Sequence, residues 1–149
     1  MTEEILTEIP NIQRGILYTL ATCDSESAAA VTAELITRIC GQFGTSVGYI
    51  ALADNLTAVQ EKCAGLKAVG TLHAVRQSNH DCRVVLRRCQ GLYNRKFVRA
   101  FIIDGADSLK VPGPDGKLAD NPESVKRQLT AFAASNKVPV ITLETTSNE

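Results

Sequence analysis

Phe101-Ile102-Ile103-Asp104-Gly105 is the stretch that most restricts how this chain can fold. In an extended strand the side chains alternate between two faces, so three consecutive large apolar residues leave neither face for water. A strand of this kind has to be covered on both sides, as in a parallel sheet held between two layers of helices. The acid that ends the run then falls at the carboxyl edge of the sheet, where open α/β folds place their ligands.

The rest of the chain supplies strands and helices to match. Ile16 to Ala21, Val47 to Leu52 and Val138 to Leu143 read as further buried strands, and Val69 to Val75 as a weaker one, interrupted by Gly70 and His73. Between them the apolar residues recur at helical spacing. Ala28, Val31, Thr32, Leu35, Ile36 and Ile39 form one such set, started by Asp24 or Ser25 and stopped at Gly41 to Gly44. Asn55 starts another, with Leu56, Val59, Cys63 and Leu66 on one face. A third begins at Ser78 or Asn79; it places Cys82, Val85, Leu86, Cys89, Leu92 and Tyr93 inside and Arg83, Arg87, Gln90 and Asn94 outside. The proline and glycine pairs of 111–117 mark a loop, and Asn121-Pro122-Glu123 opens a last helix with Val125, Leu129, Phe132 and Ala133 behind it.

This alternation predicts one α/β domain over residues 1–149, with a mostly parallel sheet of about five strands and helices on both faces. Residues 1–14 are an acidic lead-in and 144–149 a polar tail. With aromatics at 5% and no Trp, the core is aliphatic. No apolar run is long enough to span a membrane. The five cysteines are scattered and Met-Thr-Glu-Glu lacks a signal peptide's features, so a cytoplasmic location with reduced thiols is expected.

The order of these pieces resembles the RecA-like ATPase core, and is most similar to the core of DnaB-type replicative helicases. The matching segments are Gly15 to Ala21, Val47 to Leu52, Phe101 to Asp104 and Val138-Pro139-Val140-Ile141. The resemblance implies a three-layer sandwich, a phosphate loop after the first strand, and Asp104 as the acid linked to a metal-bound nucleotide. It also implies a partner of the same class, a RecA-like ATPase or helicase, and self-association side by side.

The loop departs from that pattern. A phosphate loop needs glycines, a Lys for the β- and γ-phosphates and a Ser or Thr for Mg²⁺. Here Thr22, Cys23, Asp24 and Ser25 are followed by Glu26, Ser27 and Ala28, where Gly, Lys and Thr would stand. Asp24 and Glu26 put negative charge where polyphosphate belongs. Ala53 replaces an acid, and Glu144 stands at the sensor Gln position. The expectation is a pseudo-ATPase: a non-catalytic, regulatory protein with no cofactor and with a vestigial loop at Asp24, Ser25, Glu26 and Ser27.

Two further sites follow from the residues themselves. Asp104, Asp107 and Glu144 fall near one sheet edge, where three carboxylates together could hold a divalent cation; alternatively Asp104 caps the turn at Gly105. Net charge is zero, yet 71–101 holds Arg76, Arg83, Arg87, Arg88, Arg95, Lys96 and Arg99 against the single Asp81. Such a face suits an acidic protein partner or nucleic acid, although only Tyr93 and Phe97 are near it to stack on bases. The competing readings are an atypical nucleotide-binding ATPase and a nucleic-acid-binding module built on this face.

Overall fold

In a computed structural model, residues 12–22, 32–39, 46–52, 57, 59–61 and 72–145 are described. Five strands form one parallel sheet: β1 (Leu17–Thr22), β2 (Ser46–Ala51), β3 (Leu72–Arg76), β4 (Val98–Asp104) and β7 (Val140–Thr145). Their order across the sheet is β1-β7-β4-β2-β3, so the last strand of the chain lies between the first and the fourth. Among the described residues α1 (Cys82–Lys96) and α2 (Pro122–Asn136) are α-helices, and residues 32–39 and 59–61 are also helical.

Strand alternation divides the core in two. Val47, Tyr49, Ile102, Ile141 and Leu143 face the helical residues Leu35, Ile36, Ile39 and Val59, with Ile12 closing that layer. Ile50, Phe101, Ile103 and Val140 face the other way, onto Cys82, Val85 and Cys89 of α1 and Val125, Leu129 and Phe132 of α2. Phe101 and Phe132 meet edge-on, with ring centroids 5.5 Å apart, a geometry that adds to the burial of both rings. Helices therefore cover both faces, as the apolar strands require, and the fold is α/β.

Several boundaries differ from expectation, each for a local reason. α1 starts at Cys82 rather than after Ser78 or Asn79. The Asp81 side chain caps it by accepting from the Arg83 N–H at 2.9 Å, while Asn79 accepts from the Asp81 N–H. The proline-rich loop contains a short hairpin, β5 (Val111–Pro112) with β6 (Leu118–Ala119), closed by Gly113 donating to the Lys117 carbonyl at 2.8 Å. β7 continues through Glu144 and Thr145, assigned above to the polar tail, because β1 pairs alongside it as far as Thr22. The loop residues Asp24, Ser25, Glu26 and Ser27, most of the acidic lead-in and residues 146–149 lie outside the described residues.

Candidate functional site

The sequence points first to the carboxyl edge of the sheet. β4 delivers Asp104 there, but its side chain lies on the Tyr49 face, and only 1% of the residue is exposed. The Tyr49 hydroxyl donates to Oδ2 of Asp104 at 2.6 Å, at the short end of the range for hydrogen bonds between oxygens. The turn that follows is closed by its own backbone. Gly105 takes φ +87, and its carbonyl accepts from both the N–H and the hydroxyl of Ser108. The left-handed conformation at this turn is what a glycine provides most cheaply.

Asp107 and Glu144 do not join Asp104. Glu144 is two residues after Thr142 on β7 and so projects to the α2 side, where it lines a cleft of about 550 Å³ together with Asp107, Asp120, Lys126, Thr19 and Thr142. Burial, and secondarily the nearby Asp107 carboxylate, raises the Glu144 pKa above its ordinary value. Asp120 is paired with Lys110 at 2.7 Å. The expected cluster of three acids is thus split by the sheet, and among the described residues no group of three or more His, Cys, Asp or Glu is placed to hold a metal ion.

The basic face also separates into parts. α1 runs back against the strand direction, so Arg76, at the carboxyl end of β3, stands near its start and Arg95 and Lys96 form its last turn. Arg83 is taken up by the cap, with its guanidinium 2.8 Å from Asp81. That hydrogen bond is the main cause holding the Asp81 carboxyl below its ordinary pKa. Arg99 is folded inward: it donates to the Tyr93 carbonyl at 2.9 Å and lies 3.9 Å from the centroid of the Tyr93 ring, a cation–π contact. Arg87, Arg88, Arg95 and Lys96 are exposed and share one groove of about 520 Å³ between α1 and β3.

The groove floor is what the charge pattern alone did not reveal. Val84, Gly91 and Leu92 of α1 and Val75 of β3 line it beside the cations, and of these Gly91 and Leu92 fall between Arg88 and Arg95 along the helix. The signal is present in the sequence as the i, i+3, i+4, i+7 stripe of Val84, Arg87, Arg88 and Gly91, but it becomes a groove only when β3 is set beside the helix. The cysteines of α1 point inward instead. Burial pushes the Cys82 thiol up to about 11 and Cys89 to about 12, so neither is a ready thiolate.

Compared with protein-family models and with curated proteins, the chain matches none. Among the described residues no helix is long and apolar enough to cross a membrane.

Proposed function

We propose that this chain is a non-catalytic RecA-like domain, a pseudo-ATPase of the cytoplasm, which acts by docking on a protein partner and regulating it. The partner class is a replication or repair ATPase, and self-association is part of the same proposal. The observation that carries this reading is the fate of Asp104. The one acid that an ATPase core of this kind would present to a metal-bound nucleotide is buried and hydrogen-bonded to Tyr49. Its neighbours Asp107 and Glu144 lie on the opposite face.

Three further points support it. The stretch 23–28 directly after β1 has no Lys and carries Asp24 and Glu26. Among the described residues the strand-end cleft is lined by Asp107, Glu144 and Asp120, the last paired with Lys110, against Lys126, a balance that offers polyphosphate no net positive charge. Exposed charge of the opposite sign gathers on α1, in four side chains that make no ion pair among the described residues.

The test is recovery of the tagged chain from its native cells at endogenous level, read by mass spectrometry beside an Arg87→Glu/Arg88→Glu variant. The expected result is an ATPase recovered by the wild type and lost by the variant. Recovery of the same proteins by both would remove the basic face from the account, and recovery of none by either would remove the docking function.

A further inference from the structure

Gly91 has no explanation inside the fold. It sits in the middle of α1, where glycine costs about 1 kcal/mol relative to alanine. Its φ is not in the left-handed region, and among the described residues a Cβ built on it would meet nothing within 4 Å. Neither a turn nor tight internal packing demands the missing side chain. What the missing side chain does is open the centre of the groove between the helix and β3.

The charges are arranged around that opening. Arg87 and Arg88 stand on one side of Gly91 and Leu92, Arg95 and Lys96 on the other. Seven or eight residues at the helical rise set the two cation pairs about 10–12 Å apart along the axis. Among the described residues none of the four is engaged in an ion pair or a side-chain hydrogen bond, whereas Arg83 and Arg99 are. Between the pairs the helix contributes Gly91 and Leu92 to the floor, and Val84, one turn before Arg87, and Val75 of β3 extend its apolar lining.

From this geometry we infer that the groove receives an amphipathic acidic helix of a protein partner, seated on Gly91. The inference rests on the docking function proposed above and names what docks. A helix laid along α1 has the same rise per residue. Carboxylates seven residues apart on it reach the two cation pairs, and the apolar residues three and four positions along fall on Gly91 and Leu92. A glycine at the crossing lets the two axes approach toward the short end of the usual 8–10 Å spacing. Nucleic acid fits less well: it carries charge at every nucleotide, which sets a phosphate over the apolar centre, and among the described residues no aromatic side chain lines the groove to stack on a base.

The experiment is a selection of displayed helical peptides, randomised at their surface positions, on the immobilised full chain. The inference predicts enriched peptides with Asp or Glu seven positions apart around an apolar pair. Their affinity should fall at least about tenfold in Arg88→Glu/Arg95→Glu, since both rim charges are reversed. It should fall similarly in Gly91→Gln, whose thermal midpoint stays at or above that of the wild type because Gln is the better helix former. Thermal midpoints of both variants check that they are folded. The inference is overturned if no peptide is enriched, if the enriched helices lack acids, if Gly91→Gln binds them as well as the wild type, or if short single-stranded oligonucleotides displace them through the same arginines. Acid-free helices that still map to the groove would sink this inference and leave the docking function standing. Tight binding of Mg-ATP would sink the function itself.

Discussion

The hydroxyl of Tyr49 on β2 donates a 2.6 Å hydrogen bond to the carboxylate of Asp104 on β4, and both residues are buried. The two are diagonal neighbours on one face of the sheet, since Tyr49 pairs in register with Ile102 and Ala51 with Asp104. A carboxylate that would otherwise be costly to bury is thereby given a partner. Tyr49→Phe removes the donor and should destabilise the protein by about 1–3 kcal/mol, the usual cost of depriving a buried polar group of its bond. Asp104→Asn, which keeps an acceptor, should cost less than Tyr49→Phe. Urea denaturation with an unchanged slope would check both; a neutral Tyr49→Phe would show that the bond carries nothing.

Gly48 tests the packing of the same two strands. An added Cβ would lie 3.0 Å from Phe101 Cδ1 and 3.2 Å from Val98 Cγ1. Phe101 is fully buried and held against Phe132, so it has little room to yield. Gly48→Ala should therefore destabilise by roughly 1–3 kcal/mol, the cost of overpacking, although alanine is usually the less costly residue to order. A thermal midpoint equal to the wild type's would show that the ring can shift.

Glu144 gives a pH signature. Its folded-state pKa lies above the ordinary value of 4.5, first through burial and then through the Asp107 carboxylate. The folded state then holds the proton more tightly than the unfolded state, so ionisation of Glu144 costs stability as pH rises from its unfolded value through its folded one. Glu144→Gln should raise the thermal midpoint at pH 7, and the gain should disappear below about pH 4, where both states of the wild type are protonated. Asp81 has the opposite sign. Its depressed pKa stabilises above the unfolded value and is lost as pH falls through the folded one. A Glu144→Gln gain that is constant with pH would assign the effect to packing instead.

The thiols of α1 should be silent. With Cys23, Cys40 and Cys63 replaced by Ser, the native protein should not react with a disulfide reagent at pH 8, because Cys82 and Cys89 are buried with thiol pKa values near 11 and 12. Two thiols should appear on unfolding. Rapid labelling of the native protein would mean that α1 opens readily from the sheet.

The layers of this fold were legible because each strand is a short apolar run and α1 and α2 carry clear helical stripes. The strand of Phe101 to Asp104 ends where the sequence places its acid, and the Asn121-Pro122 helix start matches the structure. The candidate sites were less legible, because spacing along the chain says nothing of which face a strand-end residue takes. Asp104 and Glu144 both end strands, yet they project to opposite sides of one sheet. The seven cations looked alike as charges. Only the neighbours Asp81 and Tyr93 distinguish Arg83 and Arg99, which serve the fold, from the four that line the groove.

The account stands most directly on whether the sheet edge still binds nucleotide. The decisive measurement is the thermal midpoint of the full chain titrated with Mg-ATP and Mg-GTP to millimolar concentration. Bound at a hundred times its Kd, a nucleotide would stabilise the fold by about 2.7 kcal/mol, a rise of roughly 5–10 °C for a chain of this size. The account predicts no rise with either nucleotide. A rise of several degrees that is abolished by Asp104→Asn, in a variant shown to be folded, would contradict it and return Asp104 to a nucleotide site.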